Sequence, residues 1–274
     1  MNARLPAGVE GEAPRDRRFV TALARGLEVL RCFGPDDLWL GHREIARRTG
    51  LPPSTVSRLA YTLKMLGCLK TGPGIGQYGL DAGVIALGFS MLGRYDIARI
   101  ARPTMQALAD EAGVQVALCV RHGLEVVYVG HCRAPQARSV LGLDVGARLP
   151  LAPTAAGRAL VAGLEPAEQQ RLLQQLQQAA RPEAELQGLR QALQAHAAEG
   201  FTRSTEDWER GVSAVAVPLQ LGAGLAPMAL SCGTASSALG GAEMATLGQR
   251  LRAAAEEVRH AVQRGGEPRT GRSR

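Results

Sequence analysis

Between Arg43 and Lys70 the sequence gathers nine side chains able to grip a polyanion: Arg43, Ser54, Thr55, Ser57, Arg58, Tyr61, Thr62, Lys64 and Lys70. Guanidinium and ammonium groups neutralise phosphates, and hydroxyls bond to phosphate oxygens or base edges, so this set suits nucleic-acid binding. Bond-breaking chemistry finds poorer material. Cys132 follows His131, a thiol next to an imidazole, but neighbours on a strand point to opposite faces and are badly placed to share a proton. The patterns GxSxG, HExxH and GxxxxGK followed by Ser or Thr are missing. His122 and His196 stand alone and read as surface residues. Cys32, Cys68, Cys119, Cys132 and Cys232 are odd in number and form no CxxC, which argues against disulfides and zinc and for buried, reduced thiols. No catalytic residue, metal or cofactor is expected.

The polyanion-gripping set needs a scaffold, and the residues between its members supply one. Val20, Leu23, Leu27, Leu30 and Phe33 recur at helical spacing, and Gly34-Pro35-Asp36 stops that helix. A second helix spans about His42 to Thr49, with Ile45 and Ala46 facing inward. Gly50 permits the positive φ of a tight turn, and Leu51 plugs the space between helices. Pro53 presets a third helix, which Ser54 or Thr55 can cap and which runs to Leu66 with Val56, Leu59, Leu63 and Leu66 on one face. Extended runs at Cys68–Thr71 and Gln77–Leu80 flank Gly72-Pro73-Gly74-Ile75-Gly76, a hairpin tip rather than a phosphate loop, since no helix follows it. Helix, helix, tight turn, helix and hairpin is the order of a winged helix-turn-helix. Its third helix would present the hydroxyls and Arg58 to a major groove, with Lys64 and Lys70 better placed for phosphate.

Charge follows the same division. The net charge is +7, and residues 1–80 hold twelve Lys and Arg against seven Asp and Glu. Residues 81–258 hold fifteen against seventeen, and residues 259–274 five against one. A basic N-terminal region on a near-neutral body fits phosphate binding. Thirty of the 32 cations are arginine, a compositional bias, yet Lys64 and Lys70, the two lysines, both fall in the nucleic-acid segment.

Residues 1–18 read as a disordered arm, 19–81 as the winged helix-turn-helix, 82–96 as a linker helix and 265–274 as a disordered basic tail. Residues 97–264 mix helices with alternating, β-rich runs, so the whole chain is α+β. The run Gly211–Gly233 is broken by Pro218, Gly222, Gly224 and Pro227, and predicts two buried strands rather than a membrane span. With a polar N-terminus lacking an apolar core, the chain is expected to be cytoplasmic and without a membrane partner.

These features together resemble the IclR family of bacterial transcriptional regulators. The likeness rests on Phe19–Leu30, Glu44–Leu59, Gln77-Tyr78-Gly79-Leu80, Gly146–Pro150, Thr154–Leu160, Glu199-Gly200-Phe201 and Gly211-Val212 leading into Ala214–Leu219. The resemblance implies a C-terminal effector-binding domain of GAF-like α+β fold, and dimers, often paired into tetramers, on a palindromic double-stranded operator. It implies a small-molecule effector, commonly a carboxylate or an aromatic catabolic intermediate. Carried over by position, the pocket includes Ala152, Pro153, Ser204, Ala214, Ser231 and Gly233. Thr154 and its loop amides, Asp207 and Trp208 stand beside them as candidates. The sequence departs from the family pattern in lacking an acid at Ser204, in Ala214 where cysteine or serine is frequent, and in Gly233 where serine is frequent. A ligand of glyoxylate or pyruvate size held by several side-chain donors is therefore disfavoured. Amides at a helix N-terminus suit a carboxylate, and Trp208 suits the wall of a larger ligand. A purely architectural DNA-binding protein would leave the long neutral body without a role beyond oligomerisation.

Overall fold

The computed structural model describes residues 18–34, 37–92, 96–135, 137, 142–222 and 227–265. The expected arm before Arg18, the tail after 265 and the helix stop at Pro35-Asp36 lie outside the described residues. The chain separates into two units, residues 1–95 and 96–274.

In the first unit, Val29, Ile45, Val56 and Ala60 are fully excluded from solvent, and Phe33, Leu40, Leu63, Cys68 and Leu69 complete the core around them. Helices α1 (Thr21–Arg31), α2 (His42–Thr49) and α3 (Pro53–Met65) enclose it, with a sheet of β1 (Leu40–Gly41), β2 (Leu69–Thr71) and β3 (Gln77–Leu80) in the order β1-β3-β2. Helix α4 (Ala82–Leu92) follows directly. Gly50 ends α2 at φ +69°, a conformation that costs glycine nothing and places α3 across α2. Three details differ from the expectations. Pro52 occupies the N-cap of α3 and no side chain bonds there, so Ser54 and Thr55 lie inside the first turn and do not cap it. Leu66 is 68% exposed because α3 ends at Met65 and the chain turns away from the core at Gly67. On α1 the inward face is Gly26 and Val29, whereas Val20, Leu23 and Leu27 are exposed.

The second unit is built on a six-stranded antiparallel sheet, ordered β6 (Arg148–Pro150), β5 (Glu125–Arg133), β4 (Gln115–His122), β9 (Met228–Ala235), β8 (Val212–Leu219) and β7 (Thr202–Thr205). Helices α5 (Asp96–Ala112) and α9 (Gly241–Gly265) cover one face. The other carries α6 (Ala155–Ala162), backed by α7 (Pro166–Gln178) and α8 (Glu183–Glu199). Strand β7 was not anticipated, being short, polar and at the sheet edge. The apolar run near residue 220 forms β8 and β9, as its glycines and prolines predicted. Pro218 lies within β8, but β7 pairs only as far as Ala216, so the missing N–H forfeits no ladder bond on that side. Among the described residues no helix is long and apolar enough to cross a membrane.

Helix α6 decides what the second unit can hold. Residues 155–161 are all buried: Ala155, Ala156, Gly157, Ala159 and Leu160 are small or apolar, and the one charged member, Arg158, is buried with its guanidinium engaged. Its start lies so close to the preceding loop that a Cβ on Gly157 would fall 1.9 Å from the carbonyl oxygen of Leu151. Thr154 closes the N-terminus, its hydroxyl accepting from the N–H of Gly157 at 3.2 Å and donating to the carbonyl of Pro150 at 2.8 Å.

Candidate functional site

Two surfaces carry the candidate residues, one in each unit. On α3 the side chains of Val56, Ala60 and Leu63 face inward, so the helical repeat turns Ser54, Ser57, Arg58, Tyr61 and Thr62 outward as one stripe. All five are exposed, as are Arg43, Lys64 and Lys70, while Thr55 is half-buried. The hydroxyl of Thr62 donates back to the carbonyl of Arg58 at 3.1 Å, which leaves it free only as an acceptor. The cations of this unit divide into two sets. Arg47 and Arg48 are bound to Glu44, with Arg48 also on Asp37 and on the carbonyl of Cys32. These arginines draw the Glu44 carboxyl down to about 2 and hold Asp37 below its ordinary range. Arg43, Arg58 and Lys64 have no acidic partner among the described residues. The ammonium of Lys70 stands 5.6 Å from the ring centre of Trp39, beneath the β2–β3 hairpin. A cation–π contact of this kind orients the charge without neutralising it.

In the second unit, small side chains leave a cavity of about 70 Å³ between α6 and the sheet. Ala117, Ala214 and Gly233 on the strands face Ala155 and Ala156 on the helix, and Leu143, Leu149, Trp208 and Val212 supply apolar wall. Two hydroxyls on its surface, those of Tyr128 (8% exposed) and Ser231 (5% exposed), have no partner among the described residues. Burial pushes the Tyr128 phenol well above its ordinary range, so it remains a neutral donor. The first-turn amides of Ala155 and Ala156 are likewise unpaired, Thr154 having taken only that of Gly157. Glu209 is the one ionisable carboxylate in the lining, and no Lys, Arg or His accompanies it.

Of the nine residues expected there, Thr154, Ser204, Trp208, Ala214, Ser231 and Gly233 line the cavity together. Ala152 is buried in the core behind it, and the carbonyl of Pro153 accepts a bond from Ser204 at 2.8 Å. Asp207 is paired at 2.7 Å with Arg158, which is 5% exposed. Arg158 also donates to the carbonyls of Ala152 at 3.0 Å and Arg203 at 2.7 Å. One guanidinium therefore pins the loop before α6 to β7 and to the turn that carries Trp208. Sequence reasoning missed Arg158 as a clamp, and missed Gln115, Ala117, Tyr128, Leu143 and Thr234 as lining. Alternation along β4 and β5 offered the one signal for Ala117 and Tyr128. Cys132 is buried, its thiol donating to the carbonyl of Arg102 at 3.7 Å, while His131 lies 3.0 Å from Asp144, so the two form no dyad. His122 is exposed, but His196 is half-buried, where burial and Arg252 lower its pKa. The five thiols are free, four of them buried.

Residues 22–73 match the IclR helix-turn-helix domain, and residues 89–260 match the bacterial transcriptional regulator IclR C-terminal domain. The chain belongs to the IclR family. It is thus a transcriptional regulator with a DNA-binding helix-turn-helix, and not an enzyme. The HTH-type transcriptional regulator TsaQ1/TsaQ2 of Comamonas testosteroni is 35% identical over 213 residues, 77% of this chain and 74% of that one. An IclR-family regulator from Brucella abortus superposes with a TM-score of 0.76 at 37% identity, covering 94% of this chain and 98% of its own. An IclR homologue from Microbacterium hydrocarbonoxydans, complexed with 4-hydroxybenzoate, has a TM-score of 0.73 at 23% identity, covering 89% and 99%. Within the family the C-terminal unit is the GAF-like α+β module, and the cavity beside α6 lies inside it.

Proposed function

We propose that this IclR-family regulator reads operator DNA with the exposed stripe of α3 and the β2–β3 wing, and that a small aromatic acid bound between α6 and the sheet controls it. The observation that carries the ligand half is the pair of hydroxyls of Tyr128 and Ser231, which line the cavity on otherwise buried residues and have no protein partner among the described residues, beside unpaired amides of the α6 N-terminus. A small, largely apolar cavity with a few convergent, unspent donors on its wall is the usual form of a small-molecule site. A carboxylate meets those amides with the help of the helix dipole. The walls of Leu143, Leu149, Trp208 and Val212 suit a ring. The absence of any cation in the lining favours one negative charge over two. That a homologue of the same fold is complexed with 4-hydroxybenzoate supports the ring and the single carboxylate alike.

Specificity for DNA rests on Ser54, Ser57, Arg58 and Tyr61, with Arg43, Lys64 and Lys70 on phosphates. A dimer would place two such helices about one helical turn apart on a palindrome. The ligand acts by preferring one of two conformations, which α4 and α5, the successive helices between the reading and sensing regions, transmit.

The test is binding of purified protein to the intergenic DNA beside its own gene, against unrelated DNA, with and without 4-hydroxybenzoate. Selective binding whose affinity moves with the ligand is expected. Gly233→Val should abolish that shift while DNA affinity persists, because a Cβ there meets only ordinary contacts and the added methyls fill the cavity. A ligand response that survives Gly233→Val would remove the cavity from the mechanism.

A further inference from the structure

Ile75 stands at the tip of the β2–β3 hairpin with 107% of its reference area exposed, where the next most exposed large apolar side chain among the described residues, Ile85, reaches 71%. Scattered surface hydrophobes are common, but this one is held clear of the protein by a braced hairpin. The N–H of Gly72 donates to the carbonyl of Gln77 at 2.8 Å, and the N–H of Gln77 to that of Gly74 at 3.2 Å. The Gln77 side chain turns inward and accepts from the N–H of Gly74 at 3.0 Å. The tip is tied to α2 as well, because the carbonyl of Gly76 accepts from the N–H of His42 at 3.0 Å. Trp39 supports the base: a Cβ on Gly72 or Gly79 would fall 2.9 or 2.8 Å from its ring.

The tip is also thin and uncharged. From Gly67 to Leu80 the chain holds no acid and one cation, Lys70, and between Thr71 and Gln77 the only side chains are the Pro73 ring and Ile75. A wing built to grip phosphates needs cations or donors at its end, and this one presents an apolar group. The minor groove of a duplex is about 6 Å wide, too narrow for a helix and open to a single side chain on bare backbone. Proteins that enter it commonly press an isoleucine, leucine or phenylalanine against the base steps, which unstacks and kinks them. The neighbours fit a polyanion: Arg43, directly after His42, and Lys70, over the Trp39 ring, are both exposed cations. A tip already fixed in place loses little conformational freedom on insertion.

We propose that Ile75 is an apolar probe of the DNA minor groove, entering beside the major groove that α3 reads, and that it selects A·T pairs there. The selection has a chemical cause. Guanine places its N2 amine in the minor groove, where an isoleucine cannot accept its hydrogen bond and displaces the water that does, whereas A·T and T·A present no donor. The wing thus adds sequence choice without adding charge. The inference rests on the reading of α3 as the DNA-contacting helix.

Duplexes are selected from a random-sequence pool with the full-length wild type, so recovery of a preferred sequence tests the α3 reading by itself. A pool that yields none overturns that reading and this inference together. On the recovered duplex Ile75→Ala is expected to weaken binding about tenfold, with Ile75→Leu close to wild type. Affinity for unrelated DNA, the salt slope and the melting temperature should not move, since the lost group is uncharged and fully exposed. Hydroxyl-radical protection lost in Ile75→Ala locates the base pairs that the tip touches. There, G·C in place of A·T should cost the wild type about tenfold and Ile75→Ala little. Inosine·C, which lacks the N2 amine, should bind like A·T. The proposal alone is overturned if Ile75→Ala binds the recovered duplex as the wild type does or loses no protection. Inosine·C behaving like G·C would overturn it by placing the readout in the major groove. Weaker self-association of Ile75→Ala with normal duplex binding would overturn it by making the tip a contact between copies.

Discussion

The reading surface of α3 and the cavity beside α6 use side chains in opposite ways. On α3 the proposed reading residues Ser54, Ser57, Arg58 and Tyr61 are exposed and stand outside the core, and Val56, Ala60 and Leu63 do the packing. Beside α6 the proposed ligand site is missing volume, and the alanines and glycines that leave the space are themselves part of the packed interior. Specificity on α3 can therefore change one residue at a time without touching stability. In the cavity every change of shape is also a change of core, which ties ligand choice to the integrity of the fold.

The largest effect that would sharpen this contrast is Gly157→Ala. A Cβ placed 1.9 Å from the Leu151 oxygen forces α6 off its loop, at a cost of about 3 kcal/mol, read as a lowered denaturation midpoint of the full chain. An unchanged midpoint would mean that the α6 loop yields easily. Arg158→Met comes next. It leaves the carbonyls of Ala152 and Arg203 without donors and should cost about 2 kcal/mol. Asp207→Asn, at a carboxylate 41% exposed, should cost well under half of that, so equal losses would show that the ion pair rather than the carbonyl clamp matters. Arg58→Ala should weaken operator binding by about 1–2 kcal/mol and leave the melting temperature alone. If it melts earlier, α3 is not the free surface described. Lys64→Ala should weaken binding to all sequences alike and lower the salt slope by about 1.

The smallest effect is in acid. Glu44 has its pKa depressed from 4.5 to about 2 by Arg47 and Arg48, so its contribution to stability is complete above about pH 4.5 and lost as pH falls toward 2. Because Glu44 is solvent-facing, that contribution is screened. Glu44→Gln should flatten the acid limb of the stability curve in that window and nowhere else, and added salt should shrink the difference.

Much of the helix-turn-helix framework was legible from residues alone because its constraints are local. Gly50 must take a positive φ wherever the turn goes, and Pro53 must open a helix. Local rules failed where a neighbour intervened. Periodicity drew one apolar stripe through Val20, Leu23 and Leu27, but those three are exposed and the buried residues of α1 are Gly26 and Val29. Ser54 had the right chemistry for a cap, yet Pro52 took the position. The cavity was legible in part, through residues adjacent to recognisable segments such as Thr154 and Ser231. Tyr128, Ala117 and Gln115 were not, because they come from β4 and β5, far away in sequence and silent in composition.

What the sequence determined by itself are the features whose cause lies within a few residues: the winged helix-turn-helix order, the basic character of the segment around α3 and the breaks in the run around residue 220. What only the tertiary structure decided are the features made by pairing distant segments. Arg158 meets Arg203 and Asp207 through a turn nearly fifty residues away, as the separations of its bonds record. Tyr128 and Ser231 share one cavity because β4 lies between β5 and β9. A hydroxyl, a guanidinium or an amide reveals its chemistry in the sequence. Whether its bonding capacity is already spent depends on which partners the fold brings within about 3 Å, and that is settled by strand order and helix packing.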